Sequence, residues 1–308
     1  MWGRLISASF LTQQMTSQNL AALTLRCPAK LNLFLHVVGQ RPDGYHLLQS
    51  VFQLIDWCDT VHLKRIPDNT IRRIDPIPGV EPDHDLVVRA AMLLKSFGNV
   101  SDGVEISLTK EIPMGAGLGG GSSDAASTLI GLNTLWNLHL DLPTLSQLGL
   151  QLGADVPFFL CGQNAFVEGI GEKIQAISLE TRDFLVIFPK VGIATARIFQ
   201  DSELTRDHAP ITIDRFLASP LSSQSNDCQA VAMRICPEVK HALDWISGVL
   251  PNSTPRMSGS GSSVFAVLDP QIDTAKLEIL LQSLPKGWVG RIVRGLNKNP
   301  AYNLISSD

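Results

Sequence analysis

Five glycines stand within seven residues of one segment, Pro113-Met114-Gly115-Ala116-Gly117-Leu118-Gly119-Gly120-Gly121-Ser122-Ser123-Asp124-Ala125. Ordering such a cluster is entropically costly. It also lets backbone N–H groups come close to a ligand and adopt left-handed dihedrals. Ser122, Ser123 and Asp124 are good helix N-caps. From Ala125 to Trp136 the residues Ala125, Leu129, Leu132 and Trp136 fall on one helical stripe. A glycine loop that feeds a helix N-terminus presents free N–H groups and the positive end of the helix dipole to an anion. The segment therefore predicts a cradle for nucleotide phosphates.

The neighbouring residues argue against two familiar cradles. A Walker loop needs Lys and then Ser or Thr after its second glycine, but Gly121 follows Gly120. The dinucleotide fingerprint does match, as Gly115, Gly117 and Gly120, with Asp141 at about the expected distance. However, the strand before the loop, Val104-Glu105-Ile106-Ser107-Leu108-Thr109, alternates apolar and polar residues. Alternation means one wet face and an antiparallel sheet, whereas a dinucleotide fold buries its first strand on both faces. Asp141 also follows a helix and precedes Pro143 rather than ending a strand.

The totals set the class. The chain has 308 residues, enough for two domains or one large one. With net charge −4 and pI near 6.0 it has no global basic field for nucleic acid or an anionic membrane, so anion binding is local. Its five cysteines, Cys27, Cys58, Cys161, Cys228 and Cys236, are scattered without C-x-x-C spacing. That suits reduced thiols in a cytoplasmic protein and gives a zinc site little support. No apolar run reaches the length of a membrane span. The expected partner is a small molecule, with no nucleic acid and no membrane, on a monomer or weak homodimer.

Along the chain, residues 1–22 read as a flexible N-terminal extension. Leu23–Val38 reads as two strands broken at Pro28. Leu31, Leu33, Leu35 and Val37 line one face of the second strand, and Lys30, Asn32, Phe34 and His36 line the other. Taken alone, Lys30 fits a solvated edge. Pro42-Asp43-Gly44 is a turn, followed by Tyr45 and His46. Gln49–Asp56 and Thr60–Ile66 read as strands, 68–85 as mostly loop, Leu86–Phe97 as a helix stopped by Gly98, and Thr144–Leu152 as a helix closed by Gly153. Asp155 lies in an apolar segment between a helix stop and Pro157, either as a cap or as a positioned catalytic carboxylate. Asn164–Val167 and Phe184–Phe188 read as strands, 201–226 as an irregular polar insertion, and Asn226–Ile246 as helical with a break at Cys236-Pro237. Arg256 to Ser263 forms a second small-residue loop. A strand (Val264–Leu268), a helix (Thr274–Leu284) and a strand (Trp288–Arg294) follow. The fold class is α+β, with a boundary near Gly171 dividing 23–171 from 172–308.

Lys30, the glycine loop, the Asp155 segment and the second Ser/Gly loop, in this order, resemble the GHMP small-molecule kinase superfamily. The likeness spans roughly residues 23–295. It is carried by Cys27-Pro28-Ala29-Lys30-Leu31-Asn32-Leu33, Arg41-Pro42-Asp43-Gly44-Tyr45-His46, Pro113 to Ala126 and Gly153 to Phe159. Within the superfamily these motifs resemble the branch of the non-mevalonate isoprenoid pathway. The resemblance implies an N-terminal ATP-side domain like ribosomal protein S5 domain 2 and a ferredoxin-like C-terminal domain, with the site between them. It implies a phosphotransferase that uses ATP and Mg²⁺ to phosphorylate the 2-hydroxyl of a cytidine-diphosphate-linked methylerythritol.

Carried over by motif, Asp155 matches the catalytic aspartate and Lys30 the lysine paired with it. Tyr45, His46 and Phe199 match residues that hold the cytosine, and Asn32, Phe52 and Thr195 match other substrate contacts. Lys110 and the segment Pro113, Met114, Gly115, Ala116, Gly117, Leu118, Gly119, Gly120, Gly121, Ser122 and Ser123 match the ATP site. Asp85, before Leu86 and near the adenine, stands where the family often has Asn; an ionised acid there accepts a hydrogen bond but does not donate one. Ser122 or Ser123 could offer a hydroxyl to Mg²⁺, and no metal ligand is fixed. Phosphoryl transfer asks mainly for positioning and charge stabilisation. Asp155 would take or orient the hydroxyl proton, and a close cation such as Lys30 favours the ionised form of a carboxylate. Three other readings remain: another kinase of the superfamily acting on homoserine, mevalonate or a sugar, a ligand sensor that keeps the fold, and a nicotinamide-dependent oxidoreductase.

Overall fold

The computed structural model describes residues 21–77, 79–219 and 225–304. Residues 1–20 of the expected flexible extension lie outside the described residues, and Ala22 already begins the first strand. In chain order the elements are β1 (Ala22–Gln40), β2 (His46–Ile66), β3 (Ile71–Arg73), α1 (Leu86–Phe97), β4 (Gly103–Thr109) and α2 (Gly120–Leu135). They continue with α3 (Leu142–Leu152), α4 (Val156–Cys161), β5 (Ala165–Gly169), β6 (Lys173–Ala176), β7 (Asp183–Phe188), α5 (Thr195–Phe199) and α6 (Ile213–Ala218). Last come α7 (Asp227–Ile235), α8 (Pro237–Val249), β8 (Arg256–Met257), β9 (Val264–Val267), α9 (Thr274–Gln282) and β10 (Val289–Leu296).

β1 is one strand, not two. Proline has no N–H for the ladder, and β1 absorbs the loss with a register shift between Pro28 and Ala29 rather than by stopping. β2 is likewise continuous, pairing antiparallel with β1 along its length and turning back at Arg41–Tyr45. From Cys27 to Val37 both faces of β1 are covered. Lys30 is 4% exposed, Asn32 and His36 are as buried, and the solvated-edge reading of Lys30 fails. A second register shift between Asn32 and Leu35 puts Leu35 on the same cavity wall as Lys30 and Asn32.

In the N-terminal half β2 pairs antiparallel with β4 and β5, and the short β3 lies parallel to β4. Helices α1 to α4 cover this sheet, packing Leu94, Leu129, Leu132, Leu148 and Phe158 against Leu25, Leu54, Leu63 and Ile106. The antiparallel placement expected of the Val104–Thr109 strand holds toward β2 but not toward the parallel β3, and Asp141 serves only as the cap of α3, accepting from Thr144 N at 2.9 Å. In the C-terminal half the strand order is β10-β7-β9-β8, every pair antiparallel, with helices between β7 and β8 and between β9 and β10. That is the ferredoxin-like arrangement. β10 also pairs with β2 through Gly295↔Ile55 and Leu296↔Leu54, so one sheet runs through both halves. Gly171, where the division was expected, lies in the turn between β5 and β6, and the chain leaves this hairpin after Ala176.

α2 starts five residues before the helix expected from Ala125. Its N-cap is Gly119, at φ 72, with no side-chain cap. Ser122, Ser123 and Asp124 are therefore not caps but residues of the helix itself, and the N–H groups of its first turn are left to the cavity in front of them.

Candidate active site

The glycine loop walls a cavity of about 330 Å³ together with Asp85, Lys110 and Asp124. Two positions show why the loop is glycine. A Cβ on Gly117 (φ +74) would lie 2.5 Å from the Ser258 carbonyl oxygen, and one on Gly119 would lie 2.9 Å from the Phe159 ring. The loop is pressed between the second small-residue loop and β1 so closely that a side chain does not fit. Lys30 N donates to the Leu118 carbonyl at 2.9 Å. Ser258 Oγ accepts from Asn32 N and donates to the Gly117 carbonyl, both at 3.1 Å. The cradle is thus held by segments from both halves of the chain.

Lys110 does not project freely toward a phosphate. Its ammonium donates to Asp124 at 2.8 Å and to Asp59, and Asp59 also accepts from Glu111 N and Ile112 N. Burial pulls the Lys110 ammonium down, but the two carboxylates outweigh it and hold its pKa above the ordinary value. Asp85 lines the same cavity, and its carboxylate already has two partners. One oxygen caps α1 by accepting from Val87 N at 3.1 Å, and the other accepts from Arg73 Nε at 3.0 Å. Both oxygens of this buried carboxylate are engaged, so it stiffens the cavity wall. Of the two candidate serines, Ser122 lines the cavity, whereas Ser123 is fully buried with its hydroxyl unpartnered. Asp124 Oδ1 is also unpartnered.

Asp155 occupies the N-cap position of α4, yet its side chain caps nothing. Instead Asp155 Oδ2 lies 3.5 Å from Lys30 Nζ. Of its two possible roles, cap or positioned carboxylate, the geometry leaves the second. Lys30 Nζ also donates to Asn32 Oδ1 and stands 4.5 Å over the Phe52 ring. Asn32 Nδ2 donates to Ser50 Oγ at 2.9 Å. These residues wall a second cavity of about 280 Å³, which shares Gly117 and Gly119 with the first.

The second cavity continues into a third, of about 670 Å³, through the shared wall of Leu48, Ile170 and Phe199. Tyr45, His46 and Phe199 all line it. The His46 and Phe199 rings are 5.1 Å apart and tilted by 38°, and Tyr45 is 61% exposed at the rim. Burial and the neighbouring Arg206 cation both lower the His46 pKa. Thr195 reaches the second cavity from α5, its hydroxyl 2.8 Å from that of Ser260. The chain therefore lines up phosphate cradle, Lys30–Asp155 pair and aromatic pocket along one connected cleft.

Two participants, Ser50 and Arg206, carry no signal of their own in the sequence. Ser258 and Ser260 belong to the second small-residue loop. Arg206 sits in the irregular stretch that composition left unassigned. Among the described residues no group of three or more His, Cys, Asp or Glu side chains could hold a metal, and no helix is long and apolar enough to cross a membrane.

Residues 85–163 match the model for the GHMP kinases N terminal domain. The chain is 79% identical over 294 residues to the 4-diphosphocytidyl-2-C-methyl-D-erythritol kinase of Polynucleobacter asymbioticus, covering 96% of this chain and 100% of that one. It is 49% identical over 286 residues to the Burkholderia mallei enzyme of the same name, covering 91% and 96%. Among solved structures it superposes on a 4-(cytidine 5'-diphospho)-2C-methyl-D-erythritol kinase with TM-score 0.75 at 31% identity, covering 89% of this chain and 100% of that one. It also superposes on the Methanococcus jannaschii mevalonate kinase with TM-score 0.65 at 16% identity, covering 89% and 98%, which shows the shared fold alone. By these relatives and this architecture, the chain belongs to the 4-diphosphocytidyl-2-C-methyl-D-erythritol kinase family of GHMP kinases.

Proposed function

We propose that the chain transfers the γ-phosphoryl group of ATP to the 2-hydroxyl of 4-diphosphocytidyl-2-C-methyl-D-erythritol, giving the 2-phosphate and ADP. The observation that carries this reading is the Lys30–Asp155 pair at 3.5 Å, in the wall of the cavity between the glycine cradle and the aromatic pocket. Phosphates held by the uncapped N–H groups of α2 would point the γ-phosphorus toward that pair. Asp155 accepts the proton of the hydroxyl as its oxygen forms the new P–O bond, and the bond to the β-phosphate oxygen breaks with ADP leaving. Lys30 faces both the carboxylate and the charge that develops on the transferring group. A cytosine held between Tyr45, His46 and Phe199 anchors the far end of the substrate, and Asn32, Phe52 and Thr195 border the polyol between them.

The chemistry that Mg²⁺ would supply here when bound is neutralisation of phosphate charge. Magnesium keeps several waters and needs few protein ligands, which suits this cleft. Ser122 on the cradle wall and the unpartnered Asp124 Oδ1 are the side chains fitted to hold it. The same reading extends to a cytoplasmic enzyme. ADP release from ATP and Mg²⁺ tests it, with 4-diphosphocytidyl-2-C-methyl-D-erythritol in one arm and methylerythritol phosphate without cytidine in the other. Turnover of the first alone supports the reaction and the base pocket together. Turnover of homoserine or mevalonate instead would overturn the assignment.

A further inference from the structure

Arg206 lies in the irregular loop after α5, outside every motif, and spends its guanidinium on the aromatic pocket. Its Nε donates to His46 Nε2 at 3.0 Å. One terminal nitrogen donates to the carbonyls of Asp201 at 2.7 Å and Phe199 at 3.2 Å, and the other to the Leu204 carbonyl at 3.0 Å. Among the described residues it forms no salt bridge, although its charge helps to lower the pKa of the nearby Asp201 carboxylate. A guanidinium has five donors and no acceptor. The bond to His46 therefore exists only while His46 Nε2 carries a lone pair, which makes the imidazole neutral and leaves its proton on Nδ1. Nδ1 makes no hydrogen bond within the described chain, so it is a free donor on a ring that lines the pocket.

We propose that Arg206 is a positioning residue for substrate recognition: it holds His46 as the neutral Nδ1–H tautomer and ties that ring to the C-terminal end of α5, beside Phe199. A donor at Nδ1 suits a pyrimidine edge that presents acceptors, such as N3 and O2 of cytosine, and disfavours an edge with N–H at position 3. This rests on the reading that the pocket takes the cytosine. Protonation of His46 removes the acceptor and breaks the Arg206 bond, and the cation opposes that protonation. The other ionisable groups on this cavity are Asp43 and Tyr45 of the turn, with Arg41 paired to Asp43. The α5 face of the cavity brings no charged side chain.

The test is Arg206→Gln, with Arg206→Lys as a second variant that keeps a charge and a donor. ¹⁵N NMR of His46 reads the tautomer directly, and steady-state kinetics read its consequence. The wild type should show the Nδ1–H form. Arg206→Gln should lose that preference and raise the KM for the cytidine substrate about tenfold, the scale of one lost charge-assisted hydrogen bond. kcat and the KM for ATP should stay within about twofold, as a check that the variant folds. The acidic limb of kcat/KM should move to higher pH, because His46 loses the cation that resists its protonation. Arg206→Lys should recover part of the KM and of the pH shift. An unchanged His46 tautomer in both variants would overturn the role of Arg206. An altered tautomer with unchanged KM for the cytidine substrate would instead overturn the reading of the pocket.

Discussion

Lys30 Nζ and Asp155 Oδ2 meet at 3.5 Å although one residue sits in the middle of β1 and the other just before α4. The pair forms because β1 runs beneath the glycine loop while α4 packs on α2, so a strand face and a helix start open on the same cavity. Lys30 is buried, whereas the Asp155 side chain is 32% exposed and opens on the cavity.

Asp155→Asn keeps the shape but removes the proton acceptor. Expected is a fall in kcat of about 10²–10⁴-fold, the usual range for a general base, with the KM for ATP within about twofold. Initial rates of ADP release over both substrates decide it, and an active variant would remove Asp155 from the chemistry.

Tyr45 is exposed at the rim of the cleft, so Tyr45→Ala should leave the melting temperature unchanged. Base–aromatic stacking is worth about 1–3 kcal/mol per base. The KM for the cytidine substrate should rise roughly tenfold or more, and that for ATP should not. Equal rises in both would count against the cytosine assignment.

Gly117→Ala places a Cβ 2.5 Å from the Ser258 carbonyl at a left-handed φ of +74. The dihedral alone costs about 1–2 kcal/mol, and the loop must move away from Ser258. A lower melting temperature and weaker ATP binding are expected together. Thermal denaturation with and without ATP measures both, and a variant that melts and binds like wild type would contradict the packing described.

Lys110→Met leaves Asp59 and Asp124 buried side by side without their shared cation. Breaking a buried pair in this way costs about 3–5 kcal/mol. Burial already pushes Asp124 up to about 7 with Lys110 in place. In the variant the folded state holds protons that the unfolded chain releases, so stability should recover as pH falls below neutrality. Urea denaturation at pH 8 and pH 6 tests the sign, and greater stability at pH 8 would refute it.

His36 is buried on β1, stacked on His208 with ring centroids 3.5 Å apart, and both its ring nitrogens are unpartnered. Burial, and then the neighbouring His208, lower its pKa to about 4, with Asp227 pulling weakly the other way. The unfolded chain takes up this proton from about pH 6.5 downward and the folded one only near 4. Stability present above pH 6.5 is therefore lost as pH falls toward 4, by at most roughly 3 kcal/mol. His36→Phe keeps the aromatic packing and should flatten that limb in urea denaturation between pH 7 and pH 4. An unaltered limb would assign the acid sensitivity elsewhere.

Much of this was local and so legible in the chain itself. Leu86–Phe97 has helical spacing, a capping acid before it and Gly98 after it, and these act within a turn or two. The glycine cluster marked the cradle, because only a ligand or a close backbone approach repays so much disorder. The motif likeness carried Lys30, Tyr45, His46 and Asp155. What local pattern misjudged was the state of buried polar residues. Lys30 taken alone fitted a solvated edge, but the glycine loop, Phe52 and Asp155 cover it, and His208 stacks on His36, so both are interior. Ser122, Ser123 and Asp124 looked like caps, yet the left-handed dihedral of Gly119 starts the helix ahead of them. That Arg73, brought in from β3, pairs with the Asp85 carboxylate was also invisible locally. Asp155 was equally a cap or a catalytic group until its distance to Lys30 was known. A side chain's rotamer and intrinsic chemistry belong to the sequence. Which charge stands beside it, and whether water reaches it, depends on segments far away in the chain, and those meet only in the folded tertiary structure.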